Sequence, residues 1–149
     1  MLRQTELIVD DDRRSLQVLC GCRGSAAYEM LATTDPDEAL DLLARHRVGV
    51  IVSDFRMPSV SGLDLLQRVK ALYPDVVRIL LSSYGEGQSI ASAPGDGSVQ
   101  KLLIKPWDVA LLRKHIVESF QRFEHDSLHH GIGIGAGRLG AHRTPFRLV

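Results

Sequence analysis

The chain has 149 residues, with 18 basic and 18 acidic side chains and a formal net charge of zero. This length suits one domain with room for a tail, and a 44% hydrophobic content suits a single buried core. Balanced charge gives no global pull toward nucleic acid or an anionic membrane, and no apolar run approaches the roughly 18 residues that span a bilayer. Residues Met1 to Glu6 lack the apolar stretch of a signal peptide, so a cytoplasmic protein is expected. Cys20 and Cys22 stand one residue apart, which makes neither a disulfide framework nor a complete zinc site.

Residues 6–10 read as a first strand, built on Leu7, Ile8 and Val9. A helix follows from Arg14 to about Cys20, with Leu16, Leu19 and Cys20 at helical spacing and Gly21 and Gly24 closing it. Glu29 to Thr33 is a short second strand. Asp35-Pro36-Asp37-Glu38 carries a helix start: a cap residue, a proline at the first turn and acids near the positive end of the dipole. The second helix buries Ala39, Leu40, Leu42 and Leu43. Val48 to Ser53 is a third strand, rich in β-branched residues as expected where both faces are covered.

Met57 to Gly62 is a loop, and a third helix runs from about Gly62 to Tyr73. Its apolar stripe is Leu63, Leu65, Leu66, Val69 and Leu72, and Pro74 stops it. Val76 to Ser82 is a fourth strand and Leu102 to Lys105 a fifth. A final helix extends from Trp107 to about Phe123, with Leu111, Leu112, His115, Ile116, Ser119 and Phe120 along one face. The alternation of strands and helices predicts a doubly wound parallel α/β sheet with helices on both sides. Residues 85–98 stand where a further helix belongs, but Gly85, Gly87, Pro94, Gly95 and Gly97 oppose it, leaving at most a short helix near Gln88 to Ala93. Residues 125–149 show no usable apolar period and are expected to form a disordered tail, with the domain proper at 1–124 and no output domain.

Polar groups gather where the strands stop. Asp10, Asp11 and Asp12 follow the first strand, Asp54 ends the third, and Lys105 ends the fifth. In open α/β sheets the carboxyl ends of the strands line the ligand crevice. Several acids and a lysine converging there suit a divalent cation and a phosphoryl group. An aspartate after a strand is often a helix cap, and Asp12 is read as one. The six histidines show no metal spacing joined to a carboxylate cluster and are read as surface or tail residues. Gly135 to Gly140 fits G-x-G-x-x-G, but no strand precedes it and too little chain follows for a dinucleotide fold. Flavin or nucleotide binding fails as well, because the loop after the first strand is acidic where phosphate wants backbone donors.

Four blocks resemble the receiver domain of two-component response regulators: Leu7 to Asp12, Ser53 to Pro58 with Gly62, Leu80 to Ser83, and Lys105 to Asp108. The resemblance covers about residues 6 to 122. It implies a flavodoxin-like fold with a five-stranded sheet in the order 2-1-3-4-5. It also implies that Asp54 is the phosphoacceptor. Asp10, Asp11, Asp54 and the backbone carbonyl of Arg56 would hold Mg2+ (or Mn2+), with Asp10 acting mainly through water. Ser82, Ser83 and Lys105 would handle the phosphoryl group, and the Lys105–Pro106 peptide matches one that is commonly cis. The implied partners are a sensor histidine kinase or phosphotransfer protein and a downstream protein not identified by sequence. No nucleic-acid or membrane partner is expected, and the assembly is expected to be a monomer or weak dimer.

Two positions depart from the family pattern: Ser83 stands where a small alanine or glycine is common, and Leu102 stands at the switch-aromatic position. Leucine can pack inward but cannot move a hydroxyl between inside and outside. Two function classes follow. The first is a phosphoaccepting receiver, a signalling switch and not an enzyme with a separate substrate. The second is a phosphate-independent interaction module on the same fold. The intact acids, Ser82 and Lys105 favour the first.

Overall fold

The computed structural model describes residues 4–21, 28–83, 95–104 and 109–133. Its elements in chain order are β1 (Gln4–Val9), α1 (Arg13–Gly21), β2 (Tyr28–Thr33), α2 (Pro36–Arg45), β3 (Val48–Asp54), α3 (Gly62–Leu72), β4 (Val77–Ser82), β5 (Lys101–Ile104) and α4 (Val109–Gly133). The strands form one five-stranded sheet in the order β2-β1-β3-β4-β5, and every pairing is parallel. This is the expected doubly wound, flavodoxin-like architecture. Among the described residues, no helix is long and apolar enough to cross a membrane.

Burial follows position in the sheet. All of β3 and β4 is buried, because helices cover both faces of these central strands. The edge strand β5 alternates between half-buried and exposed residues. Two cores result. Leu7, Val9 and Ile51 pack beneath Ala39 and Leu43 of α2 and Leu65, Leu66 and Val69 of α3. On the other face, Ile8, Val50, Val52 and Ile79 pack beneath Leu16 and Leu19 of α1 and Leu112, Ile116, Phe120 and Phe123 of α4.

Local chemistry sets the helix starts. Asp35 caps α2 by accepting from the Asp37 N–H at 2.9 Å, with Pro36 at the first turn. Ser61 caps α3 by accepting from the Asp64 N–H at 3.1 Å. Asp12 caps α1, accepting from the Arg14 N–H at 2.9 Å and from the Ser15 hydroxyl at 3.3 Å.

Two sequence expectations are corrected. Leu72 is 58% exposed and Leu111 is 47% exposed, so neither belongs to the stripe that its helix buries. The final helix does not stop near Phe123 but continues to Gly133. No glycine or proline interrupts residues 124–130, and Arg122 pairs with Asp126 one turn on, at 3.8 Å. Ser98 is buried at the approach to β5. The short helix considered near residues 88–93, Pro106, Trp107, and residues 134–149 of the tail lie outside the described residues.

Candidate functional site

Strand registers bring the acids together. Val9, the last residue of β1, sits opposite Ser53 on β3 and Thr33 on β2. Asp10 therefore emerges beside Asp54, and its N–H donates to the Thr33 carbonyl at 3.2 Å. Asp10 is buried, Asp54 is 7% exposed, and Asp11 is exposed. Carboxylate oxygens of Asp10, Asp11 and Asp54 lie within 4.8 Å of one another. One Asp10 oxygen also accepts from the Asp12 N–H at 3.0 Å, which fixes the turn leading into α1.

Such a cluster suits a hard cation. Carboxylates this close repel one another, and a small divalent ion with oxygen ligands removes the repulsion. Asp10 and Asp54 are buried and Asp11 is exposed, so the cluster keeps one side toward solvent. The donor set is all oxygen, so it fits Mg2+ or Mn2+ better than a soft metal.

The surrounding backbone is held tightly. The Phe55 N–H donates to the Leu81 carbonyl and the Gly62 N–H to the Phe55 carbonyl, each at 2.8 Å. Met57 is buried in the α2/α3 core and anchors the loop that follows Asp54. Gly62 starts α3 directly against the end of β3: a Cβ there would lie 2.0 Å from the Asp54 carbonyl oxygen. The sequence marks this glycine only as a motif residue, and the reason for it emerges from the packing of α3 against β3.

Ser82 ends β4 one register step beyond Leu81, which pairs with Asp54. Its hydroxyl is buried and has no hydrogen-bond partner. Buried polar atoms are rarely left in that state, and those that are call for an explanation. Ser82→Ala breaks no bond in this structure. It should leave the urea midpoint unchanged or raise stability by up to about 1 kcal/mol. A lowered midpoint would show that the hydroxyl has a structural partner. Ser83 is exposed. Ile104, the end of β5, pairs with Ser82, so the chain leaves β5 toward the same end of the sheet. Lys105 comes next and lies outside the described residues. Leu102 is 40% exposed on β5.

Comparison with known proteins agrees with this arrangement. The family model for the response regulator receiver domain matches residues 7–117. HoxA of Cupriavidus necator, a hydrogenase transcriptional regulatory protein, is 34% identical over 103 residues, covering 69% of this chain and 21% of that protein. Sporulation initiation phosphotransferase F of Bacillus subtilis is 25% identical over 113 residues, covering 76% of this chain and 90% of that protein. The signal receiver domain of an HD domain-containing protein from Pseudomonas fluorescens Pf-5 superposes with a TM-score of 0.78 at 29% identity, over 85% of this chain and 93% of that one. The chain spans about a fifth of HoxA, and sequence, sheet order and acidic cluster agree. The chain belongs to the response regulator receiver domain family.

Proposed function

We propose that this receiver takes a phosphoryl group onto Asp54 from the phosphohistidine of a sensor histidine kinase or phosphotransfer protein. The observation that carries the reading is the convergence of the Asp10, Asp11 and Asp54 carboxylates at the ends of two adjacent strands. A carboxylate oxygen of Asp54 attacks phosphorus. The new P–O bond forms as the P–N bond breaks, the imidazole keeps the electron pair, and an acyl phosphate remains. The β3 backbone and the tight Gly62 contact hold Asp54 for in-line approach.

Asp10, Asp11, Asp54 and the Arg56 backbone carbonyl are assigned to hold Mg2+ or Mn2+. Such an ion, when bound, offsets the negative charge of the carboxylates and phosphoryl oxygens. The Ser82 hydroxyl then has an acceptor, a phosphoryl oxygen. That bond draws the end of β4 and Ser83 inward, which converts a local charge into a change at the outer face. The family pattern assigns Lys105 to a second phosphoryl oxygen. Residues 1–124 form the receiver unit, and α4 carries the chain onward. HoxA, named a transcriptional regulatory protein, suggests a transcriptional output under this control.

The test is incubation with acetyl phosphate and Mg2+, read by intact mass and Phos-tag gel, beside Asp54→Ala. A gain of one phosphoryl group in the wild-type chain only is expected. Labelling of Asp54→Ala to the same extent would refute Asp54 as acceptor. The second reading, a phosphate-independent interaction module, draws on Leu102, which brings no hydroxyl to the switch position. It is favoured if a folded, Mg2+-binding chain takes up no phosphoryl group.

A further inference from the structure

Glu6 breaks the apolar run of β1 at a place where the sheet is covered. It is 0% exposed, and both of its carboxyl oxygens are buried without a hydrogen-bond partner. Its neighbours in register are Met30 on β2 and Val50 on β3. The side chain lines a small apolar cavity under the α1/α4 layer. Leu19 comes from α1, Tyr28 and Met30 from β2, Val52 from β3, and Leu112 and Ile116 from α4.

Among the described residues, the cavity lining offers no counter-charge. Among the described lining residues Tyr28 is the one other titratable group, and a phenol cannot neutralise a carboxylate. Nearby cations are engaged elsewhere: Lys101 of β5 reaches the Glu118 carboxylate and the His115 carbonyl of α4, each at 3.3 Å. Arg47 lies over the Phe123 ring at 5.7 Å. Burial alone pushes the Glu6 pKa from 4.5 up to about 8.

An isolated carboxylate in such a cavity is far costlier than a protonated carboxyl, so the charged form has to reach water. Two of the cavity's covering side chains, Leu112 and Ile116, sit on α4, the helix that continues past the sheet to Gly133. We propose that Glu6 is a proton-dependent latch on α4. With the carboxyl protonated, Leu112 and Ile116 stay seated on β1 and β3. With it ionised, α4 lifts from the sheet and admits water. The latch does not rest on the phosphoacceptor reading of Asp54.

The sign follows from proton binding. Between the unfolded-state value near 4.5 and the folded value near 8, the folded chain holds a proton that the unfolded chain has lost. Stability therefore falls as pH rises through that window, by about tenfold in the unfolding constant per pH unit, and levels off above it. The experiment is hydrogen exchange of the full chain across this window, corrected for intrinsic rates, beside Glu6→Gln and Glu6→Leu. Both variants keep His115 and Tyr28, so loss of the pH response isolates Glu6. The expected wild-type result is a pH-driven loss of protection in α4 that exceeds the loss in β3 and β4. Both variants should show a flat α4 response, and Glu6→Leu the stronger protection. An identical α4 profile in wild type and Glu6→Gln would overturn the proposal. So would a wild-type loss spread evenly over the whole sheet.

Discussion

Gly62→Ala is expected to slow phosphoryl uptake at Asp54 by about tenfold or more and to cost about 1–3 kcal/mol of stability. The added Cβ would lie 2.0 Å from the Asp54 carbonyl oxygen, 2.9 Å from the Asp54 carbonyl carbon and 2.9 Å from the Ser53 hydroxyl. Two of these neighbours are backbone and cannot swing aside. The Asp54 carbonyl also accepts from the Ser53 hydroxyl at 3.0 Å, so displacing it strains that bond as well. The start of α3 must retreat, breaking the Gly62 to Phe55 hydrogen bond, or β3 must shift and carry the Asp54 carboxylate with it. Either movement disturbs in-line geometry, which tolerates little displacement. Gly21→Ala is the control, because a Cβ there meets nothing within 4 Å. It should leave uptake unchanged and stability equal or slightly higher. Uptake followed by intact mass and stability by urea unfolding decide the matter. Wild-type behaviour of Gly62→Ala in both would show that the contact relaxes without cost.

Arg78→Met should be the most destabilising single change at this end of the molecule, at about 3 kcal/mol or more. Arg78 lies in β4, buried, with its guanidinium folded back among carbonyls. Nε donates to Ser98 at 2.9 Å, Nη1 to Pro74 at 3.1 Å and Val76 at 2.8 Å, and Nη2 to Gly97 at 3.1 Å. The residue thus ties the approach to β5 onto the start of β4. Its backbone N–H also holds the Gln100 side chain at 2.8 Å. Burial pulls its pKa down, as does Arg122, while Asp96 and Asp75 act the other way. Methionine fills the space but leaves those acceptors without a donor, each worth about 1–3 kcal/mol where water cannot enter. Arg78→Lys should recover little, since an ammonium group cannot reproduce the planar fork. Uptake at Asp54 by the folded fraction should persist, because Arg78 lies toward the opposite end of the sheet. A urea midpoint within error of wild type for Arg78→Met would show that water replaces the guanidinium freely.

These two residues also mark where sequence reading succeeds and where it stops. The acids at the ends of β1 and β3 were legible because a buried strand must end before a polar cluster can begin. The caps at Asp12 and Asp35 depend on neighbours two or three positions away, which a local pattern captures. Arg78 and Glu6 were not legible. Each reads as a gap in an apolar run, and its surroundings come from distant chain. Two acceptors of Arg78 lie 19 and 20 residues away. The roof over Glu6 comes from α4, a hundred positions further on. Leu72 and Leu111 fail for the opposite reason: each fits a helical stripe wider than the face its helix presents to the sheet.

Sheet order also bears on how the chain must be assembled. The first strand made, β1, lies between β2 and β3, so it has a flank exposed until residue 54 has left the ribosome. The face of β3 that bears Val50 and Val52 waits longer still. Phe120 and Phe123 cover it, their rings 3.0 to 3.2 Å from where a side chain at Gly49 would begin. A nascent chain released before residue 123 therefore carries a complete acidic pocket over an unroofed apolar sheet. That is the form of this protein for which a chaperone would compete.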